Sequence, residues 1–186
     1  MKQSSRSDAE TYVWLQSGTW SNDFVLQHEG REIGTLKATS WSRQEYEGST
    51  GEGTWVFRQE GFWNRVIVCE DAATRQRLGT FRPKWSSSEG ELELWDGRKF
   101  NWATSGFLDP VSTLTDQRGA VILELKQGNS LQRRKLSDLF RVGATIFLAA
   151  SRLDRRTSSL LCLMAWHLSL CSRDETTAAV TVATIS

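Results

Sequence analysis

The chain has 186 residues, which fits a single domain with a sizeable hydrophobic core. Its 23 Lys and Arg residues nearly equal its 22 Asp and Glu residues, so the net charge excludes a general attraction to nucleic acid or to anionic membranes. Three cysteines cannot form an even disulfide framework, which favours a reducing cytoplasm. Residues 1–10 are polar, and we expect them to form a flexible N terminus without a signal peptide.

Short segments of alternating or β-branched apolar residues follow, from about Tyr12 to Ser151, and turn residues separate them at regular intervals. This rhythm predicts an all-β sandwich or barrel. Nine tryptophans, an unusual number for this length, are expected to supply much of its core. The predicted strands are residues 12–16, 23–28, 31–38, 53–57, 64–70, 77–83, 90–95, 98–104, 111–116, 119–125, 130–136 and 143–151.

Turn chemistry fixes several connections between these strands. Asp96-Gly97 accepts the positive φ angles of a type I′ turn, so residues 91–95 and 98–102 are predicted to pair as an antiparallel hairpin. The polar segment 40–52 is predicted to be the longest loop. Phe62 and Trp63 follow a glycine, and we interpret them as aromatic side chains at an exposed loop tip.

A weak repeat links two of the predicted hairpins. Ile33-Gly34-Thr35-Leu36-Lys37 returns 45 residues later as Leu78-Gly79-Thr80-Phe81-Arg82. Two copies are too few for a β-propeller, so we interpret them as a repeated hairpin within one barrel. The glycine in each copy is expected to mark a bulge or a bend.

The last predicted element is a helix over residues 154–172, whose segment 160–171 is apolar on nearly every face. Such a helix must be surrounded by other groups, and it is too short to cross a bilayer. We therefore predict a central helix that fills the barrel and leaves no lipocalin-type ligand cavity. The alternative is an external helix that mediates dimerisation. Residues 11–172 form the predicted barrel domain, and residues 173–186 form a flexible C-terminal tail.

This order of elements, with Gly-bounded hairpins, the strand 143–151 and then an apolar helix, resembles the tubby C-terminal-like superfamily. That superfamily includes the tubby domain, the phospholipid scramblases and the LURP-one-related proteins, and the chain looks closest to its small uncharacterised members. The resemblance covers residues 12–172 and implies a closed barrel of about twelve mostly antiparallel strands around a central hydrophobic helix. The chain lacks the apolar membrane segment of scramblases and the basic stretch of the tubby phosphoinositide pocket, so no lipid-binding residue is transferred from the family.

The titratable side chains give little indication of catalysis. The two histidines, His28 and His167, accompany no nucleophile motif, and His167 is predicted to bond a strand carbonyl inside the core. On a helix, Cys162 points nearly opposite Cys171, which leaves too few ligands for zinc. We therefore predict no enzyme activity, no metal and no cofactor.

Clusters of basic residues carry the leading functional hypothesis, a non-enzymatic module that docks on an anionic, phosphoinositide-like lipid headgroup. Phe62 and Trp63 would add interfacial contacts. The alternatives are a protein–protein interaction scaffold and an unrecognised enzyme. We expect a monomer or weak oligomer in the cytoplasm, peripheral to membranes, with no transmembrane segment and no nucleic-acid partner. The predicted lipid contacts are Arg75, Arg77, Arg82, Lys84, Arg133, Arg134 and Lys135, with Arg152, Arg155 and Arg156 at the helix entrance.

Overall fold

The computed structural model describes residues 9–18, 21–39, 45–61, 65–84, 86, 88–106, 109–128, 143–149 and 153–184, with side chains described through Arg173. The elements are β1 (Glu10–Gln16), β2 (Phe24–His28), β3 (Arg31–Ala38), β4 (Glu45–Thr50), β5 (Gly53–Glu60), β6 (Val66–Asp71), β7 (Arg77–Pro83), β8 (Glu89–Leu94), β9 (Lys99–Ser105), β10 (Val111–Asp116), β11 (Val121–Gln127), β12 (Gly143–Leu148) and α1 (Arg155–Thr184).

The twelve strands form a closed antiparallel barrel in which each strand pairs with its neighbours in sequence. Antiparallel pairing of β1 with β12 closes the barrel, and Tyr12 lies opposite Ile146 in that pairing. The predicted fold class is therefore confirmed. Consecutive antiparallel pairing follows from the short turns, which can join only neighbouring strands.

The strand count is as predicted, but one strand was assigned wrongly. β4 lies inside the segment that was predicted to be a loop. Its inward-facing residues are Tyr46 and Gly48, and the residues that flank them are polar. This composition hides the alternation on which strand prediction depends. The predicted strand 130–136 lies outside the described residues, and β11 pairs directly with β12 without it.

The barrel consists of three similar units of four strands, β1–β4 (unit 1), β5–β8 (unit 2) and β9–β12 (unit 3). Each unit contains the same type of irregular hairpin, formed by β2–β3, β6–β7 or β10–β11. The second strand of each hairpin carries one extra residue near its start. The extra residues are Ile33, Leu78 and Ile122, at intervals of 45 and 44 residues. The predicted bulge next to each repeated glycine is confirmed, and the third copy has Leu123 in place of that glycine.

The pairing register extends this similarity into the core. Gly34 of unit 1 lies opposite Thr50, Gly79 of unit 2 lies opposite Leu94, and Leu123 of unit 3 lies opposite Leu148. In the middle of the barrel the equivalent positions hold large buried side chains in all three units. Two such layers are Trp14, Phe57 and Trp102, and Leu36, Phe81 and Leu125.

Helix α1 runs through this barrel, and its side chains from Leu160 to Leu170 are at most 9% exposed. Trp166 stacks on Trp14 with ring centroids 6.0 Å apart and meets the edge of Phe24 at 5.2 Å. Gly48 lets the helix approach β4, because an added Cβ would lie 3.0 Å from a Leu163 methyl carbon. Burial on all faces confirms the predicted central helix.

The helix is longer than the sequence predicted. Its backbone stays helical through Thr184, twelve residues past the predicted end at Ser172, so the predicted tail is largely helical. Thr and Ala dominate these residues, and their weak apolar pattern gave no reason to extend the helix. None of the described helical residues form a stretch with the length and apolar character that a membrane-spanning helix needs.

Candidate functional site

The barrel has two distinct ends. The turns that join β2 to β3, β4 to β5, β6 to β7, β8 to β9 and β10 to β11 all lie at the end where α1 begins, which we call the helix-entry end. The other end contains the remaining connections and the exit of α1. At the helix-entry end, Asp154 precedes the helix and its carboxylate accepts hydrogen bonds from the Thr157 backbone N–H (2.9 Å) and hydroxyl (2.7 Å).

Units 2 and 3 fasten the start of the helix to the barrel wall. Arg156 pairs with Asp71 of unit 2 at 2.9 Å. Hydrogen bonds from Thr74, with a contribution from Arg156, lower the pKa of Asp71, so its carboxylate is charged when it meets the helix. Arg98 of unit 3 donates to the Thr157 hydroxyl at 2.9 Å and lies 3.8 Å from Asp154.

A cavity of about 1120 Å³ lies on the remaining side, between unit 1 and the first turns of α1. We call it the mouth crevice. Leu26 and Cys162, both buried, line it together with Tyr12 and His28, whose rings lie 4.7 Å apart. The other lining residues are Glu10, Glu32, Ile33, Gly34, Thr35, Ser49, Thr50, Gly51, Glu52, Leu153, Arg155, Ser158 and Ser159. The prediction that the helix leaves no ligand cavity is therefore wrong at the helix-entry end.

The crevice exists because unit 1 lacks the side chains that close the other units. Leu94 and Leu148 are buried at their positions in units 2 and 3, whereas the equivalent residue of unit 1 is the smaller, polar Thr50. The bulged residues differ in the same way. Leu78 and Ile122 are 5% and 4% exposed and belong to the core, whereas Ile33 is 37% exposed at the edge of the crevice.

Backbone pairing shows the same difference. The Leu78 carbonyl accepts the Trp95 N–H at 3.0 Å, and the Ile122 carbonyl accepts the Ala149 N–H at 2.9 Å. Among the described residues, the equivalent bond from Gly51 to the Ile33 carbonyl does not form. The β3–β4 pair thus lacks the last backbone hydrogen bond of its two counterparts, and the Gly51-Glu52 turn borders the open space.

Charge at the rim of the crevice is unevenly distributed. Among the lining residues that the structure describes, three carry carboxylates (Glu10, Glu32 and Glu52) and one, Arg155, carries a guanidinium. The Tyr12 hydroxyl donates a hydrogen bond to Glu10. Burial, reinforced by this hydrogen bond, raises the pKa of Tyr12, and burial also raises the pKa of Cys162. Both groups therefore stay protonated at neutral pH and add no negative charge.

Of the predicted lipid contacts, the four that the structure describes (Arg75, Arg77, Arg82 and Lys84) are distributed over both ends of the barrel. Arg77 lies at the start of β7 and Arg82 near its end, about 17 Å apart along an extended strand. Arg77 pairs with Glu60 and Arg82 with Glu93, each at 3.0 Å. Arg75 lies at the helix-entry end, and Lys84 follows β7 at the other end. Arg133, Arg134, Lys135, Phe62, Trp63 and Arg152 lie outside the described residues.

His167 and Cys171 lie on one side of α1, as predicted, with His167 Nε2 3.7 Å from Cys171 Sγ. The predicted bond from His167 to a strand carbonyl is wrong, because its other nitrogen, Nδ1, has no partner among the described residues. The ring instead contacts Tyr46 (5.2 Å) and Phe57 (5.6 Å). Within the described part of the chain, no group of three His, Cys, Asp or Glu side chains is placed to bind a metal ion.

Acid should destabilise the protein through His167. Burial lowers its pKa to about 4, below its ordinary value of 6.5, so protons bind more tightly to the unfolded chain. The resulting stability is fully present above pH 6.5 and is lost as the pH falls toward 4. When the pH is lowered from 7.5 to 5, we expect the free energy of unfolding of wild type to fall by about 2 kcal/mol more than that of His167→Leu, as measured by urea denaturation. Parallel pH dependences in the two chains would contradict a buried neutral imidazole.

No family model, curated protein or solved structure matches this chain. The resemblance to the tubby C-terminal-like superfamily stays a prediction. The mouth crevice is the candidate functional site of the described structure. Sequence reasoning missed this site, although the contrast of Thr50-Gly51 with Leu94-Trp95 would have signalled it once the three units were aligned.

Proposed function

We propose that the protein is a non-enzymatic binding module that takes one small amphipathic molecule into the mouth crevice. The observation that carries this proposal is the difference between the three units. The same hairpin architecture is closed by buried Leu78 and Ile122 in units 2 and 3, but it leaves Ile33 exposed beside a cavity in unit 1. The opening is therefore specific to unit 1.

The dimensions and lining of the crevice suit a small ligand. Its volume of about 1120 Å³ is comparable with the largest of typical ligand pockets, which range from about 300 to 1,000 Å³. Leu26 and Cys162 provide an apolar wall at depth, and charged and hydroxyl groups surround the opening. An apolar lining with a few polar groups orients an amphipathic molecule with its polar end toward solvent.

Docking on anionic lipid through the predicted basic residues has less support from the geometry. Arg77 and Arg82 are paired with carboxylates and lie toward opposite ends of one strand. An anionic surface would have to compete with these ion pairs. The crevice, in contrast, collects its lining residues in one place.

Filling the crevice should weaken binding of an apolar probe. Ser159 lines the crevice on α1 and is half-buried, so Ser159→Trp should place an indole in the ligand space with little effect on the core. We expect Ser159→Trp to bind Nile red at least tenfold more weakly than wild type in a fluorescence titration.

Ser105→Trp is the matched control, because Ser105 is exposed at the end of β9, far from the helix entry. This variant should keep wild-type affinity, and the circular dichroism of both variants should match wild type. Equal Nile red affinity in folded Ser159→Trp, or no binding by wild type, would contradict the proposed function.

A further inference from the structure

We infer that the mouth crevice selects a ligand whose polar end is an organic cation, such as an amphipathic amine with an alkyl or aryl tail. This inference rests on the proposed function, because it assigns the chemistry of the molecule bound in that crevice. The carrying observations are the excess of carboxylates at the rim, the pairing of neighbouring cations elsewhere, and the apolar wall below.

The charge balance of the described lining residues is negative. Glu10, Glu32 and Glu52 contribute three carboxylates, and Arg155 contributes one positive charge. The N-terminus of α1 adds the equivalent of roughly half a positive charge. The sum stays negative, so the crevice attracts cations and disfavours carboxylate or phosphate ligands.

Two other described cations near the start of α1 are paired with carboxylates. Arg156 is paired with Asp71, and Arg98 lies against Asp96 and Asp154. These contacts point to units 2 and 3, so neither guanidinium is available to the carboxylates of unit 1. Arg31, next to Glu32 at the start of β3, does not line the crevice, so the described lining residues keep their excess of carboxylates.

The carboxylates of Glu32 and Glu52 can accept further hydrogen bonds. Glu10 accepts the Tyr12 hydroxyl, but among the described residues the side chains of Glu32 and Glu52 form no ion pair. An ammonium group carries donors only, so it can satisfy such oxygens without requiring a donor from the protein. The aromatic pair of Tyr12 and His28 borders the same space, and aromatic faces also attract ammonium groups.

The apolar part of the crevice requires that this cation carry a tail. Leu26 and Cys162 are each 1% exposed, and Ile33 and Leu153 line the same cavity. The Cys162 thiol stays protonated and therefore behaves as an apolar group. A metal ion or a simple ammonium ion would leave the exposed surface of Ile33 and Leu153 hydrated, whereas an apolar tail would cover it.

Three ten-carbon probes separate head-group charge from general apolar binding: decylammonium, 1-decanol and decanoate. We expect calorimetric titration at low salt, below micelle-forming concentrations, to give at least tenfold tighter binding of decylammonium than of 1-decanol, with decanoate weakest. Raising the salt should reduce this preference, because surface charges are screened. The double variant Glu32→Gln/Glu52→Gln should reduce it to threefold or less without changing 1-decanol binding.

Glu89→Gln is the matched control, because Glu89 is exposed at the opposite end of the barrel, and it should bind all three probes as wild type does. Equal affinities for the three probes, or tightest binding of decanoate, would overturn the cation inference and leave the proposed crevice function standing. Failure of all three probes to bind would overturn both.

Discussion

Replacing Leu163 by Asp is expected to abolish folding. Leu163 lies in the middle of α1, is fully buried, and packs where Gly48 of β4 leaves room for it. An ionised carboxylate at this position would be surrounded by apolar side chains without a cationic partner, and the cost of burying it is far larger than the usual margin of stability. Near-ultraviolet circular dichroism of Leu163→Asp should show no fixed tertiary structure, and Met164→Asp should behave in the same way.

Val121→Asp is the control for this test, because Val121 is 50% exposed on β11 and its replacement should leave a folded chain. The outcome also separates the central helix from the alternative of an external dimerisation helix. An external seam predicts that Leu163→Asp is a folded monomer by gel filtration with native circular dichroism. That result would contradict the central position of α1.

Truncation of Trp166 is expected to have the second-largest effect. The indole is fully buried, stacks on Trp14 and meets Phe24 edge-on, so it joins α1 to the first two strands. Its removal should leave a cavity that the closed barrel cannot collapse to fill, because every strand is held by two neighbours. We expect Trp166→Ala to lower the free energy of unfolding by about 3–5 kcal/mol in urea denaturation.

Trp95→Ala is the matched control for Trp166→Ala. Trp95 follows β8 at the helix-entry end and is 45% exposed, so the same substitution there should cost less than about 1 kcal/mol. Equal losses of stability in the two variants would contradict the role of Trp166 as a central packing residue.

The sequence predicted the barrel and its helix because their signals are local. The Asp96-Gly97 signal predicted its hairpin correctly, but the type I′ turn was wrong, because only Gly97 has a positive φ (83°). The uniformly apolar segment from Leu160 to Cys171 requires enclosure wherever it lies. β4 escaped detection because Gly48 occupies an inward position against the helix, a requirement of packing that leaves no apolar residue to recognise. The sequence showed only two of the three repeated hairpins, because Leu123 replaces the glycine in unit 3.

The candidate site could not be predicted from local signals. Its lining comes from β1–β4 and α1, so residues as distant as Glu10 and Cys162 meet only after the barrel has closed. The basic residues show that the opposite also occurs, because residues close in sequence can lie far apart in the fold. Arg77 and Arg82 are neighbours in sequence, but the strand between them separates the two side chains, and cross-strand carboxylates neutralise them. Adjacent charges in a strand are therefore weak evidence for a shared binding surface.

The most direct test of this account is an amide chemical-shift map of the ¹⁵N-labelled protein titrated with decylammonium. The barrel supplies its own internal control, because each residue of the crevice in unit 1 has counterparts in units 2 and 3. We predict saturable shifts at Ile33, Gly34 and Gly51, with small changes at Leu78, Gly79 and Ile122. Shifts of similar size in all three units, or none at unit 1, would contradict the claim that the open unit of the barrel is its binding site.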